Sequence, residues 1–418
     1  MKASLKMLII GIVCIVLGCI LFASCTAANG FDWSRLSTEK FEQKNFTTEK
    51  SFQSISIDEE YGIDIKFVLA TDGVCKIEYE ESKNILCEIS VEDDTLKIKQ
   101  NDNRKWYHMI GFNFHSPTLT VYLPESEYPM MNIDASTSDV TIPSDFSFGD
   151  LKIDLSTGDV TVSANVTGKL EIDVSTGDVT VSNSNPASVS IISSTGRVSA
   201  TAVHATGDFS VRSSTGNQSF RDITCANATL ISSTGDKELA DFTASGDLTV
   251  ESDTGDQIYT NVTCGNAVLT SSTGDKTVST MNVFGNLTVK SDTGYSSFNN
   301  IVCNELKVTT STGRQTYTDV SCGATELLAD SGKIHMTNLV SSDLLKITTD
   351  TGDITFDNCD AASMKIKADT GDVTGTLRTP KIIYTDSDTG KVKVPHSTVG
   401  GLCEIKTDTG DIKITFAE

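Results

Sequence analysis

Asp-Thr-Gly, the tripeptide that carries the catalytic carboxylate of aspartic proteases, occurs six times in this chain. In those enzymes two such loops meet, and their paired carboxylates share one proton. The aspartates here are Asp253, Asp292, Asp350, Asp369, Asp388 and Asp408. Seven equivalent tripeptides have Ser in place of Asp, so the pattern does not require a carboxylate. We therefore interpret the tripeptide as a turn motif and not as a protease site.

Seven aspartates near the C-terminus form a candidate calcium site. Because each set recurs at one point of a repeat, we expect two parallel, outward-facing columns: Asp350, Asp369, Asp388 and Asp408, then Asp353, Asp372 and Asp411. Like charges about 4.8 Å apart repel, and a hard cation bound by carboxylate oxygens would relieve the repulsion. The alternative is a solvated acidic edge that Lys391 partly neutralises. No other cofactor is expected.

A second candidate site is a column of polar residues in six central repeats, each two positions after the repeat glycine. They are Gln218, Lys237, Gln257, Lys276, Ser296 and Gln315. Such a column, about 24 Å long, could bind an extended polymer such as a cell-wall glycan. The alternatives are a shifted coil cross-section that merely exposes the column, or glutamine side chains that form hydrogen-bonded ladders.

One cluster combines basic and aromatic residues in this acidic chain: Arg104, Lys105, Trp106 and Tyr107. Trp and Tyr rings stack on sugars and peptides, which makes the cluster a candidate recognition patch. The alternative is a hairpin whose aromatic side chains pack on the protein itself.

Four of the eleven cysteines lie nine residues after a repeat glycine, where other repeats have Ala or Val. This position predicts a buried column of Cys225, Cys264, Cys303 and Cys322. Only Cys303 and Cys322 fall in adjacent repeats, at a Cα separation near 4.8 Å that permits a disulfide.

All these residues belong to one repeat that returns every 19 or 20 residues from residue 136 onward. Its third residue is Gly in all but the first of fifteen copies, where it is Ser138. Apolar residues alternate with polar ones on both sides of the tripeptide, as at Leu151 and Ile153 before it and at Val160 and Val162 after it. Period-two alternation predicts a strand on each side of a tight turn. Gly provides the backbone conformation that the turn requires.

Two strands per 20 residues, repeated without interruption, predict an all-β, single-stranded parallel β-solenoid (β-helix) of about fifteen coils. Each coil cannot bury its apolar face alone, and stacking closes a continuous core. We expect a rod roughly 65–70 Å long, with right-handed coils. A β-sandwich is the alternative, although its loops would not keep so constant a period.

The chain divides into four segments by composition and periodicity. Residues 1–30 are an apolar anchor or signal segment, 31–50 a polar linker, 51–130 an irregular β-rich cap, and 131–418 the solenoid. The last predicted strand, Ile412–Phe416, would leave an open edge with which another chain could pair.

The N-terminal segment decides the predicted location. Lys2 and Lys6 precede a run from Met7 to Gly30 that has no charged residue, long enough for a membrane-spanning helix. Lysines before the run favour a cytoplasmic N-terminus with the remainder outside. We expect a single-pass anchor in the cell membrane. The alternatives are a lipoprotein cleaved before Cys25 and attached to the membrane through it, and simple secretion.

Composition excludes several classes of function. The net charge of −23 disfavours nucleic acid as a partner. The five histidines are scattered and form no zinc-binding pair, and no nucleophile elbow, P-loop or dinucleotide fingerprint is present. No catalytic residue is therefore assigned.

The sequence resembles the bacterial "putative adhesin" family of β-strand-repeat proteins, domain of unknown function 4097. The resemblance rests on the apolar N-terminal segment, on Phe31–Thr38, on Leu119–Pro124 and on Ser-Thr-Gly-Asp-Val at 156–160 and 175–179. It implies a bacterial, envelope-facing, solenoid-like protein with no catalytic residues to transfer. This chain departs from the pattern at Ser136-Thr137-Ser138 and Asp330-Ser331-Gly332.

Three hypotheses about function follow. The first is a non-catalytic surface protein that serves adhesion or envelope sensing, with a cell-wall glycan or an envelope protein as partner. The second is a polysaccharide-active enzyme of the β-helix type. The third is a structural spacer that assembles through the open Ile412–Phe416 edge.

Overall fold

The computed structural model describes residues 2–28, 39–106 and 115–417. These residues form a β-solenoid of about 14 turns. The prediction of a parallel β-solenoid is therefore confirmed, with slightly fewer coils than expected.

A single described helix, α1 (Lys2–Ala28), begins the chain. No helix among the described residues has both the length and the apolar character that are needed to cross a membrane. The predicted transmembrane segment is thus not supported by the structure and stays a prediction from the sequence. Cys25 lies within α1, and the structure does not test its lipidation.

The N-terminal cap contains both parallel and antiparallel strands. Its strands are β1 (Glu42–Thr48), β2 (Ser54–Glu59), β3 (Asp64–Leu69), β4 (Cys75–Glu81), β5 (Ile85–Glu92), β6 (Thr95–Asp102) and β7 (Thr118–Leu123). β2 and β3 form the coil that stacks directly on the solenoid. Beyond them, β5 and β6 form an antiparallel pair, and β4 pairs antiparallel with both β1 and β7. β1 lies in the segment predicted as a linker, where pairing with β4 orders it.

The regular coils contribute one strand to each of two parallel rows. Their strands are β8 (Glu127–Thr137), β9 (Val140–Ile142), β10 (Ser147–Thr157), β11 (Val160–Val162), β12 (Asn165–Val166), β13 (Lys169–Thr176), β14 (Val179–Ser184), β15 (Ser188–Thr195), β16 (Val198–His204), β17 (Phe209–Thr215), β18 (Gln218–Cys225), β19 (Ala228–Thr234), β20 (Lys237–Ala244), β21 (Leu248–Thr254), β22 (Gln257–Cys264), β23 (Ala267–Thr273), β24 (Lys276–Val283) and β25 (Asn286–Thr293).

Toward the C-terminus several strands run through a corner and join both rows. The strands here are β26 (Ser296–Thr312), β27 (Gln315–Ser331), β28 (Ile334–Thr337), β29 (Val340–Thr351), β30 (Ile354–Thr370), β31 (Val373–Leu377), β32 (Ile382–Ser387), β33 (Val392–Lys393), β34 (Leu402–Thr409) and β35 (Ile412–Phe416).

Apolar residues of every coil meet in one core that runs the length of the solenoid. Leu151, Ile153, Val160 and Val162 are each at most 1% exposed. Neighbouring coils pair in repeat register, so Leu151 lies beside Leu170 of the next coil. Each buried side chain therefore contacts its equivalents in the coils on both sides, and hydrophobic burial is continuous along the axis.

The repeat glycine marks the first corner of each coil, as predicted. Its φ is +135° at Gly255, a conformation that residues with a side chain rarely adopt. A Cβ atom at Gly255 would also lie 2.2 Å from the carbonyl oxygen of Gly235 in the preceding coil. Both the backbone conformation and the close stacking of coils therefore require Gly.

A second corner, which the sequence analysis missed, lies six residues after the glycine. A non-glycine residue there has φ between 50° and 61° in ten successive coils: Asn183, Ala202, Asp222, Asp241, Asn261, Thr280, Asn300, Asp319, Asn338 and Asn358. Asn and Asp tolerate this left-handed conformation. Their amides also bridge coils, as where Asn261 Nδ2 donates to Asp241 Oδ1 at 2.7 Å. The recurrence of Asn and Asp at one position was the available signal.

The C-terminal coils do not stack in sequence order, which corrects the prediction of an open edge at Ile412–Phe416. β34 lies between β30 and β32, and β35 lies between β31 and β33. The first two residues of Ile412–Phe416 are therefore paired on both sides, the remaining three pair with β31, and the outermost coil of the described residues is formed by β32 and β33. Lys391, Lys393 and Pro395 mark this edge, and such residues discourage pairing with another chain.

A shielded ion pair between Lys381 and Asp360 fixes the segment that leads into the outermost coil, formed by β32 and β33. Lys381 Nζ lies 2.6 Å from Asp360 Oδ1, and the two side chains are 7% and 16% exposed. Lys381 Nζ also donates to Thr379 Oγ1 at 2.9 Å, and Thr379 Oγ1 donates to the Asp360 carboxylate. These contacts hold residues 379–381 next to β30. The following strand, β32, does not pair with β30, and β34 occupies the position between them.

Replacing Ile412 with aspartate is expected to release the outermost coil. Ile412 is fully buried and pairs with Val373 on one side and Val392 on the other. An unpaired carboxylate there costs several kcal/mol. Limited trypsin digestion should show much faster cleavage at Lys391 and Lys393 than in the wild-type protein. Thr415→Asp, on the exposed side of the same strand, should leave cleavage unchanged. Equal cleavage in both variants would contradict the inserted position of β35.

Candidate functional site

The polar column predicted as a binding face is buried inside the solenoid, and this prediction was wrong. All six members are at most 1% exposed: Gln218, Lys237, Gln257, Lys276, Ser296 and Gln315. They lie in register on strands β18, β20, β22, β24, β26 and β27. The position two residues after the glycine is interior in every coil except the outermost one, where Val392 is exposed, whether it carries Val or Lys. The column, called the internal ladder below, cannot contact an external polymer.

The three glutamines of the internal ladder share two donor contacts, and Gln257 and Gln315 also accept a hydrogen bond from a tyrosine, which Gln218 does not. Gln257 Nε2 donates to Ser252 Oγ at 2.8 Å and to the carbonyl oxygen of Thr270 in the next coil at 2.9 Å. Tyr259 Oη donates to Gln257 Oε1 at 2.9 Å. Gln315 repeats all three contacts with Thr310, Leu328 and Tyr317. The glutamines are therefore hydrogen-bonded inside the solenoid, to Ser, Thr, Tyr and backbone groups and not to one another as the ladder alternative expected.

The two lysines of the internal ladder are unusual because their ammonium groups lie away from solvent. Lys237 Nζ donates to Ser232 Oγ, and Lys276 Nζ donates to Ser271 Oγ. Burial lowers the pKa of each lysine to about 8, since desolvation disfavours the charged form. Each of these lysines therefore loses its proton only slightly above neutral pH.

The aspartate columns are present, but their order differs from the prediction. Thr370 pairs with Thr409, and Ser387 pairs with Thr407, so the first column runs Asp350, Asp369, Asp408, Asp388. The second column runs Asp353, Asp372, Asp411 and ends at Lys391. Both orders arise because the coil formed by β34 and β35 lies before the coil formed by β32 and β33 in the stack.

Carboxylates of the second column accept backbone hydrogen bonds from the next coil. The amide of Asp372 donates to Asp353 Oδ1 at 3.2 Å, that of Asp411 to Asp372 Oδ1 at 2.7 Å, and that of Lys391 to Asp411 Oδ1 at 2.8 Å. A hydrogen bond from Lys333 Nζ, 2.9 Å from Asp353 Oδ2, lowers the pKa of Asp353. These aspartates therefore have a structural role at the corner. Among the residues that the structure describes, no three His, Cys, Asp or Glu side chains converge in a way that would hold a metal ion.

The basic and aromatic cluster is only partly described. Arg104 Nη2 lies 2.7 Å from Asp102 Oδ2, and its guanidinium lies 4.5 Å from the centre of the Tyr61 ring. Its charge is thus used within the cap. Trp106 is 74% exposed, Lys105 is exposed beside it, and Tyr107 lies outside the described residues.

A buried carboxylate joins the cap to the first regular coil. Glu59 is 4% exposed and accepts hydrogen bonds from Ser138 Oγ at 2.9 Å, from the amide of Ser136 at 3.1 Å and from the amide of Gly62. Burial raises the pKa of Glu59. Ser138 occupies the corner that is glycine elsewhere, so its departure from the repeat supplies a hydroxyl to this junction. Nothing in the sequence pattern around Glu59 signalled the contact.

Replacing Glu59 with alanine should loosen this junction. The change leaves the Ser138 hydroxyl and two backbone N–H groups without their acceptor, and we expect a loss of about 3 kcal/mol in unfolding free energy. Chemical denaturation measures this loss, and hydrogen exchange should localise it to residues 54–69 and 127–142. Glu60→Ala, at an exposed neighbour, is the control. A Glu59→Ala variant as stable as the control would show that the junction does not depend on the carboxylate.

The outward residues of the first strand row form charged columns. Asp58, Asp134, Asp154 and Asp173 lie side by side in successive coils near the cap. Partial desolvation by the neighbouring coils, with a contribution from Asp154, raises the pKa of Asp173. Further along the same column Lys367 lies beside Lys406, and Asp386 follows Lys406 in the outermost coil. We call these sets the acidic column and the lysine pair. The outer face therefore changes charge along the rod axis.

A second column of charged residues lies on the same outer face, between the acidic column and the lysine pair along the solenoid. Glu326 Oε2 lies 2.6 Å from Lys307 Nζ, and Glu326 Oε1 lies 2.8 Å from Lys346 Nζ. The three residues belong to adjacent coils. Side chains on this face thus repeat at the spacing of parallel strands, about 4.8 Å.

The fold and these surfaces define a single-chain parallel β-solenoid with a polar internal ladder and charged outer columns. The chain belongs to the Toastrack DUF4097 family, whose model matches residues 52–208, 188–295 and 284–418. The resemblance noted from the sequence is thereby confirmed. No protein among the curated sequences matches the chain.

Several solved structures are similar to this chain at low identity. A putative adhesin from Bacteroides fragilis is 14% identical, with 90% of this chain and 97% of that chain covered and a TM-score of 0.22. A putative cell adhesion protein from Clostridium sporogenes is 9% identical, with 91% and 100% covered and a TM-score of 0.18. A putative lipid binding protein from Parabacteroides distasonis is 11% identical, with 91% and 98% covered and a TM-score of 0.19. The family assignment rests on the family model alone.

Proposed function

We propose that this protein is a non-catalytic β-solenoid of the bacterial cell envelope that binds an envelope polymer or protein through its outer face. The role is that of an adhesin or an envelope sensor. The proposal extends the family assignment, and the names of the similar solved structures are consistent with it.

The observation that carries the proposal is the periodic outer face. Outward side chains lie in register in successive coils, with the acidic column near the cap, the lysine pair near the C-terminal end, and mostly uncharged residues such as Ile192 and Thr270 between them. A ligand that repeats along its own length, such as a glycan, meets equivalent groups at equivalent spacings on such a face. The polar groups that once suggested a separate binding column are internal, which leaves the outer face as the available surface.

The proposed location follows from the sequence of the N-terminal segment. Lys2 and Lys6 before the uncharged run favour a solenoid outside the cytoplasm. The segment 1–30 would anchor it as a single-pass helix, or a lipid on Cys25 would do so after cleavage. Protease added to intact cells should then digest the solenoid, and mass analysis of the N-terminal peptide separates the two forms of anchoring.

Retention on cell fractions tests the binding function. The full chain in detergent micelles is added to intact cells and to isolated envelope fractions, with calcium and with a chelator. We expect saturable retention on one fraction. Dependence on calcium would support a role for the aspartate columns in cation binding. Absence of retention on every fraction would overturn the proposal, and release of soluble sugar products would favour the enzyme hypothesis.

Paired neutral substitutions test the outer face. Lys367→Gln with Lys406→Gln removes the lysine pair, and Asp154→Asn with Asp173→Asn removes half of the acidic column. All four side chains are exposed, so the fold should persist. For an anionic polymer we expect the lysine variant to lose retention at moderate salt and the aspartate variant to keep it. Unchanged retention in both variants would contradict a role for this column.

A further inference from the structure

Two buried thiols of adjacent coils lie in contact. Cys303 Sγ lies 3.4 Å from Cys322 Sγ, and the two residues are direct register partners on β26 and β27. Their Cα atoms are therefore separated by about 4.8 Å, within the range that disulfides span. Both residues are free thiols here.

We propose that Cys303 and Cys322 form a disulfide that links two successive coils of the solenoid. No other pair in the cysteine column satisfies the geometry. Cys225 pairs with Ala244, and Cys264 pairs with Val283. Cys225 and Cys264 are thus two coils apart, roughly 9.6 Å, which exceeds the Cα separation of a disulfide.

The pair lies just beneath the surface, at a corner of the coil. Cys303 is 7% exposed and Cys322 is 5% exposed, and exposed Val302 and Asn304 flank Cys303 at a corner of the coil. The Cys303 thiol donates to Cys322 Sγ. This hydrogen bond lowers the pKa of Cys322, to which Thr325 also donates, and it raises the pKa of Cys303. Cys322 is therefore the thiol that ionises first and attacks.

The reaction is a thiol–disulfide exchange in two steps. The Cys322 thiolate attacks one sulfur of a low-molecular-weight disulfide, and one donor thiolate leaves and takes up a proton. The Cys303 thiol then loses its proton and attacks Cys322 Sγ in the mixed disulfide, and the second donor thiolate leaves. The two protein thiols are oxidised, and the donor disulfide is reduced to two thiols.

Peptide mapping of the full chain tests the disulfide. The folded protein in detergent is treated with oxidised glutathione, free thiols are then blocked, and the chain is digested with trypsin without reduction. Cleavage after Lys290, Lys307, Arg314 and Lys333 places the two cysteines in separate peptides, 291–307 and 315–333. We expect these peptides to be recovered as one cross-linked species that reductant separates.

Matched variants and thermal unfolding complete the test. The Tm of the oxidised wild-type protein should exceed that of the reduced protein, and Cys303→Ser should abolish both the cross-link and the Tm difference. Cys225→Ser should change neither. Separate peptides, a persistent mixed disulfide with glutathione, or equal cross-linking of Cys225 and Cys264 would overturn the proposal. Whether cells present an oxidising environment to the pair rests on the proposed location, but the result with purified protein does not.

Discussion

Replacing Gly255 with alanine is expected to lower the free energy of unfolding by more than about 4 kcal/mol. The backbone there has φ of +135°, which strains any residue with a side chain. The added methyl group would also lie 2.2 Å from the carbonyl oxygen of Gly235. Because that oxygen belongs to the stacked backbone of the preceding coil, neither partner can move without breaking inter-coil hydrogen bonds.

Denaturant unfolding measures this loss, and hydrogen exchange locates it. Coils stabilise one another only through their neighbours, so protection should fall most strongly in residues 228–283. Gly73→Ala is the control, since Gly73 has φ of +70° and no atom lies within 4 Å of the position that an alanine methyl group would take. This control should lose only about 1 kcal/mol. A Gly255→Ala protein no less stable than the control would show that the corner tolerates a side chain.

Replacing Lys276 with methionine should stabilise the protein by about 3 kcal/mol near neutral pH. Burial lowers the pKa of this lysine from 10.5 to about 8, so the folded protein binds its proton less tightly than the unfolded chain does. Methionine has a similar length and carries no charge that must be desolvated. Chemical denaturation at pH 7 measures the gain.

The same linkage predicts a pH dependence. Between about pH 8 and 10.5 the unfolded chain binds more protons than the folded protein, so wild-type stability should rise with pH across this window through the contribution of Lys276. Below pH 8 both states are protonated and the full penalty is present. The rise should be smaller in Lys276→Met and unchanged in Lys290→Met, an exposed lysine. Identical pH profiles for all three proteins would contradict a buried ammonium group.

The regular part of the fold was predictable because its signals are local and repeated. Gly at a fixed period and alternating apolar residues around Leu151 and Val160 specify the corner, the strands and the buried face. Burial of the internal ladder was not predicted, although position two after the glycine is apolar in other coils. The polar residue types there suggested an exposed column. In the structure, partners such as Ser252 and Tyr259 form hydrogen bonds with these side chains inside the solenoid.

The order of the last coils could not be predicted from the repeat. Every coil presents the same edge, so the period of residues 402–416 fits equally well at the end of the stack or one place earlier. Side chains that decide between these positions, such as Lys381 and Asp360, interact over distances that the repeat does not encode. The junction at Glu59 was missed for the same reason, since its partner Ser138 is 79 residues away.

The glycine corner also limits how such a gene can lengthen. In the regular coils each repeat glycine from Gly177 to Gly371 lies against the equivalent glycine carbonyl of the preceding coil, as Gly177 does against Gly158. Duplicating or deleting one whole repeat restores this contact at the new boundary. An insertion of any other length would place a side chain on that carbonyl. The length of the solenoid should therefore evolve in steps of one coil, about 4.8 Å each.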